Sequence, residues 1–282
     1  MNDYEDSTMR YLALVNLSVL TCTLACTIAL AQDADTGRVV VPARNTTRAR
    51  KVDVNVMGGG ITVKAYNGKE VIVETKDVAQ GNRRQREEKA PPGMHRIDGP
   101  TRGLSVEEEN NVITVRVPGP QHGSLTISVP PDTNLSLRTM NGAIHVEGVK
   151  GEIAVDTLNG AIELANVSGS VLANTLNGKM SVVMDAVDAG KALSFTSMNG
   201  TIDVTLPANF KSTLKMRTDH GAIYSDFDVQ PGQGGTITQK NDTPDGKFRV
   251  KVDRTLSGTI NGGGAETTLK TYNGTIYLRK KK

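Results

Sequence analysis

From Arg38 onward, apolar and polar residues alternate one for one in short runs, among them KVDVNV, EVIVET, NVITVRV, SLTISV, AIHVE, AIELA, TIDVTL and TIYLR. A period of two, a richness in Val, Ile and Thr, and boundaries of Gly, Asn, Asp or Pro predict half-buried strands. No long stretch carries the 3.6-residue period of an amphipathic helix. The rhythm breaks at 77–103, DVAQGNRRQREEKAPPGMHRIDGPTRG, which reads as a polar surface insertion with room for one short helix around Asn82 to Lys89. Loops of that length are uncommon unless functional or unstructured.

The strands also repeat. Asn-Gly recurs at Asn141-Gly142, Asn159-Gly160, Asn177-Gly178, Asn199-Gly200 and Asn273-Gly274, with His220-Gly221 in the place of one more. Successive spacings are 18, 18, 22 and 21 residues, then 53, which leaves space for two longer turns through 229–264. An isolated Asn-Gly signals a two-residue hairpin, but hairpins give no reason for matching Thr, Asn, Gly and Ile columns at a fixed period. Stacked coils do. The expected fold is therefore an all-β solenoid with coils of about 18–22 residues. Glycine would take positive φ at each corner, and the asparagines would form a hydrogen-bonded ladder about 4.8 Å apart. Ile144, Val146, Ile162, Leu164, Ile202, Val204, Ile276 and Leu278 then point inward.

The T-x-N-G-x-I-x-V units and the closing run GGGAETTLKTYNGTIYL at 262–278 resemble a bacterial family of β-strand-repeat proteins known as the putative adhesins. These are domains of unknown function similar to the heads of autotransporter adhesins. The resemblance covers roughly residues 51–280 and is strongest from Asn141 onward. It implies a right-handed, single-stranded β-helix outside the cytoplasm and brings no catalytic residues with it. The chain departs from the pattern at His220, at 77–103 and at 229–258.

The N-terminus bears on location. Tyr11 to Ala31 is an apolar run after Arg10 that ends in Ala29-Leu30-Ala31 before Gln32, which suits a signal-peptidase site. The preceding MNDYEDST is acidic, so Met9 is an alternative start. About 21 residues would also span a membrane, and Cys26 after Leu24-Ala25 leaves a lipoprotein as a further alternative, with Thr23 where Leu is usual. The expected organisation is a signal peptide over 1–31, a linker over 32–50, a solenoid over 51–280 carrying the insertion, and a basic tail at 281–282. Both cysteines, Cys22 and Cys26, fall in the first segment, so the exported chain has no disulfide, thiol nucleophile or Cys metal site. Without 1–31 the chain keeps 32 basic and 27 acidic residues, a mild excess that argues against nucleic-acid binding.

Chemistry is sparse. His95, His122, His145 and His220 have no second histidine at i+3 to i+5. Glu107, Glu108 and Glu109 read as a solvated turn. There is no G-x-S-x-G elbow, and the glycine triplets at 58–60 and 262–264 lack the lysine and helix of a phosphate loop. The residues four after each corner, His145, Glu163, Ser181, Asp203, Tyr224 and Tyr277, would stack outward without repeating one chemistry. Arg83, Arg84, Arg86, Lys280, Lys281 and Lys282 are candidate polyanion contacts. The resulting expectation is a noncatalytic, extracytoplasmic adhesin-like binding or scaffold module. It would need no cofactor or metal, and its partner would be an envelope or surface ligand such as an anionic polymer or glycan, with self-association through solenoid ends. The alternatives are a carbohydrate-active β-helix enzyme and a membrane-anchored envelope-stress accessory protein.

Overall fold

The structure is a computed structural model that describes residues 38–43, 49–76, 104–117, 123–232, 237–240, 249–252 and 255–282. The expected signal peptide, the insertion at 77–103 and Arg83, Arg84 and Arg86 within it lie outside the described residues. The described residues form strands and no helix. From the N-terminus, β1 (Arg38–Val41), β2 (Arg50–Gly58), β3 (Ile61–Ala65) and β4 (Val71–Lys76) precede β5 (Ser105–Glu109), β6 (Val112–Val117) and β7 (Ser124–Val129). The regular repeats follow as β8 (Thr133–Asn141), β9 (Ile144–Glu147), β10 (Lys150–Asn159), β11 (Ile162–Asn177), β12 (Met180–Val187), β13 (Leu193–Asn199) and β14 (Ile202–Leu206). The chain closes with β15 (Ser212–His220), β16 (Ile223–Ser225), β17 (Gln230–Pro231), β18 (Ile237–Lys240), β19 (Arg249–Val252), β20 (Leu256–Ile260), β21 (Glu266–Asn273) and β22 (Ile276–Lys280).

All of these except the β18–β19 hairpin belong to one sheet that folds back on itself as two ladders. One ladder runs β6, β2, β8, β10, the C-terminal half of β11, β13, β21 and β15, all parallel. The other runs β7, β3, β9, the N-terminal half of β11, β12, β14, β22 and β16, also parallel. Each Asn-Gly corner carries the chain from the first ladder to the second. β11 makes the return turn without a break, at Asn166 (φ 52°) and Gly169 (φ 110°). Alternate residues of both ladders meet inside, where Ile144, Val146, Ile162, Leu164, Ile202, Val204, Ile276 and Leu278 are at most 1% exposed. Phe195 is the bulkiest fully buried side chain among the described residues. Burial of each Val, Leu or Ile is worth about 1.5–3 kcal/mol, and this interior is the main source of stability.

Two features differ from the expected solenoid. Coils do not stack in chain order: the first, β2–β3, lies between β6–β7 and β8–β9, and the last, β21–β22, lies between β13–β14 and β15–β16. Among the described residues, the 53-residue gap adds no further parallel coil to the stack. Pairing is also mixed, with antiparallel β5 on β6, β4 on β7 and β1 on β4 at one end, and β20 on β15 and β17 on β20 at the other. A parallel stack would end in open strand edges, and the antiparallel strands cover those of β6, β7 and β15. Residues 38–41 are therefore part of the sheet rather than of a linker.

Candidate functional site

Each position of Thr-x-Asn-Gly has a separate job at the corner. The threonine faces inward and its hydroxyl donates to the glycine carbonyl of the adjoining coil: Thr157 to Gly142 O and Thr175 to Gly160 O, both at 3.1 Å, and Thr218 to Gly274 O at 2.8 Å. The asparagines donate side chain to side chain, Asn159 to Asn141, Asn177 to Asn159, Asn199 to Asn177 and Asn273 to Asn199, over 2.8–2.9 Å. The glycine N–H closes the link, as in Gly142 to Asn159 O at 3.0 Å. The glycines are required by crowding. A Cβ on Gly142, Gly160, Gly178, Gly200 or Gly274 would lie 1.9–2.1 Å from the neighbouring glycine's carbonyl oxygen. The first four of these do not have positive φ, so the expected left-handed corner is replaced by a close approach of backbones. His220 stacks beside Asn273, edge-on to Tyr272 with ring centres 5.2 Å apart.

Ser197 occupies the threonine column, yet its buried Oγ has no hydrogen-bond partner. Thr157→Val is expected to cost about 1–2 kcal/mol by orphaning the Gly142 carbonyl, while Ser197→Thr, whose branched Cβ fixes the rotamer, gains about 0.5–1 kcal/mol. Urea denaturation of the two variants checks both signs.

The x of the motif faces outward. Met57, Met140, Leu158, Leu176, Met198 and Tyr272 are 60, 48, 40, 37, 47 and 46% exposed. Register places them side by side on β2, β8, β10, β11, β13 and β21 in one unbroken line. At about 4.8 Å per strand the line is roughly 24 Å long. A parallel row two residues back, Asn55, Arg138, Asp156, Asn174, Thr196 and Lys270, is polar. The two rows border a shallow groove of about 830 Å³ that ends at Arg217 and Asp219, themselves 2.8 Å apart. Contiguous apolar surface rimmed by polar groups marks interaction sites. This outward column precedes each corner, whereas the column expected from the sequence follows it. The signal was present, since alternation about an inward threonine must place x outside.

The column four residues past each corner is chemically mixed, and most of its members find partners within it or two residues further on. His145 Nδ1 lies 3.3 Å from Glu163, Arg279 Nε is 2.8 Å from Asp203 while its guanidinium carbon Cζ lies 5.1 Å from the Tyr277 ring centre, and Tyr277 stacks on Tyr224 at 5.4 Å. The aspartate holds the Arg279 pKa above its ordinary value, by hydrogen bond first and charge second. Of the tail, Lys281 reaches Asp185 at 2.5 Å and Lys280 lies over Phe227, 5.3 Å from its centre. No group of three or more metal-ligating side chains converges among the described residues.

Two further pairs join segments distant in sequence. Arg50 and Glu108 form an ion pair at 3.3 Å with both side chains 7% exposed, so the run expected as a solvated turn is instead strand β5, with Glu107 and Glu109 exposed and Glu108 turned inward. Lys191 donates to Glu152 at 2.6 Å, and this bond, then its charge, holds the Glu152 carboxyl below its ordinary range. The Lys191 pKa is raised in return. The pair's contribution is thus complete between about pH 5 and pH 10, fading as acid protonates Glu152 below its depressed pKa and as base strips Lys191 above its raised one. Carbon-13 NMR should show the Glu152 titration move upward in Lys191→Met.

The model of the Toastrack DUF4097 family, a domain of unknown function, matches residues 32–278. The chain belongs to that family. No curated protein matches it. Among solved structures it is similar to a putative cell adhesion protein from Clostridium sporogenes ATCC 15579 (TM-score 0.41, 10% identity), over 87% of this chain and 100% of that one.

Proposed function

We propose that this Toastrack chain is a noncatalytic, exported binding or scaffold module of the cell envelope that engages its partner through the apolar line Met57–Tyr272 and the polar row beside it. The observation that carries this reading is the line itself, in which six large apolar side chains stay 37–60% exposed at one column of a repeat. The corner bonds hold that column rigid, so binding orders little chain and loses little entropy. Export is supported by the apolar run ending Ala29-Leu30-Ala31 and by the confinement of both cysteines to the segment before residue 32. A right-handed winding of the coils is supported by the general preference of parallel crossovers, about 98% of which are right-handed. The likeness to autotransporter adhesin heads is one of sequence pattern.

The test is capture of envelope fractions and arrayed glycans by the purified chain and by Met140→Ser/Leu176→Ser, with mass spectrometry of the N-terminus. Capture that is salt-resistant and at least tenfold weaker in the variant, by a chain beginning at Gln32, is expected. Capture that is unchanged in the variant, with its self-association unchanged as well, contradicts the assignment of the face. Capture lost only at high salt would transfer the contact to the basic residues around Lys280–Lys282.

A further inference from the structure

We infer that the occupant of this face is a second copy of the chain, docked face to face about a two-fold axis that lies parallel to the strands and passes between β10 and β11. The inference rests on the reading of the face as a docking surface and names its partner. Such an axis reverses the coil order of the partner, so that β2 faces the partner's β21, β8 its β13 and β10 its β11. Each outward row then lies over itself, read backwards.

The apolar row reads Met, Met, Leu, Leu, Met, Tyr from Met57 to Tyr272 and is nearly its own reverse. Leu158 meets Leu176, Met140 meets Met198, and Met57 meets Tyr272. In the polar row Arg138 meets Thr196, Asp156 meets Asn174 and Asn55 meets Lys270, so no two like charges oppose one another. One row further back, Leu172, 48% exposed, falls opposite Ala154, a large side chain against a small one. At the margin Lys51 on β2 faces Glu266 on β21, opposite in sign. Like charges meet only beyond the six coils, where Arg116 would face Arg217, and there Asp219 balances Arg217 within its own chain at 2.8 Å. Self-complementarity of this kind is what an isologous interface requires.

The dimensions fit as well. Six strands at about 4.8 Å and seven residues at about 3.3 Å give a face of roughly 29 by 23 Å, close to the roughly 800 Å² that each partner buries in a standard interface. A glycan is less well matched, because Tyr272 is the one aromatic ring in the line and sugars are held by stacking on such faces. The self-association expected at solenoid ends is thereby reassigned to a side of the stack.

The test uses the full chain with Cys22→Ser and Cys26→Ser, which leaves no native thiol. Met140→Cys and Met198→Cys are prepared separately and treated with a short bismaleimide, alone and mixed. The antiparallel dimer predicts a linked dimer at least tenfold more abundant in the mixture than in either protein alone. Sedimentation should show a dimer that Leu158→Lys/Leu176→Lys converts to monomer, with Leu158→Ser/Leu176→Ser as the milder variant if the lysines prevent folding. Linking of each cysteine mainly to itself, or a monomer at all concentrations, overturns the proposal. If the chain is monomeric but the Leu158/Leu176 variants still lose capture of envelope material, the docking-face reading survives and the second copy falls. If capture is also unaffected, both fall.

Discussion

Glu108→Ala lowers the stability of the folded chain by about 3–5 kcal/mol, because it strands the Arg50 guanidinium where water cannot reach it. Arg50 starts β2, and its guanidinium donates to Pro42 O at 2.7 Å, Lys69 O at 3.1 Å and Glu108 at 3.3 Å. These partners lie just after β1, just before β4 and within β5, the antiparallel strands that cover one end of the stack. One cation therefore ties the cover to the coil beneath it. Removing the carboxylate leaves a desolvated charge, whereas removing both charges does not, so Arg50→Met/Glu108→Leu should recover most of the loss. Urea midpoints of Arg50→Met, Glu108→Leu and the double variant close the cycle, and strictly additive losses would contradict the pairing.

Gly160→Ala is the second large effect, on the order of 3 kcal/mol. The added Cβ would sit 1.9 Å from Gly142 O and 2.5 Å from Gly142 C. Neither atom is free to yield, since the Gly142 N–H is bonded to Asn159 O and its carbonyl accepts from Thr157. Gly190, with φ +81° and nothing within 4 Å of a built Cβ, makes the comparison: alanine there strains one residue's backbone and costs about 1 kcal/mol. Thermal melts that rank the two the other way would show that conformation, not crowding, fixes the corner glycines.

Much of this architecture is legible in the sequence, and the part that is not has a physical cause. Alternation gives the strands, and the 18-residue return of Thr, Asn, Gly and Ile gives the coil, because each column is a set of contacts between identical neighbours. That same identity hides the stacking order. A corner of Asn, Gly and Thr fits any other, so nothing in the motif says that Asn273 belongs beside Asn199. The motif itself breaks only near the ends of the stack, where Gly58 replaces the asparagine opposite Asn141 and His220 replaces it opposite Asn273. Glu108 was hidden for a related reason. A carboxylate in an acidic run looks solvated until a strand 58 residues away brings it a guanidinium. The apolar line was readable as the x of Thr-x-Asn-Gly. It is easily missed because Leu and Met beside a buried strand pattern look like more core.

The stacking order underlies the asparagine ladder, the apolar line and its near-palindrome alike, and cysteine pairing tests it most directly. Met198 and Tyr272 are neighbours on parallel strands, and Asp219 lies one strand further on. Adjacent strands place Cα atoms about 4.8 Å apart, within disulfide reach, while the next strand at nearly 10 Å is beyond it. In a chain with Cys22→Ser and Cys26→Ser, Met198→Cys/Tyr272→Cys should oxidise to an intrachain disulfide and Met198→Cys/Asp219→Cys should stay reduced. Closure of the second pair instead of the first would mean that the coils stack in chain order and would contradict the account.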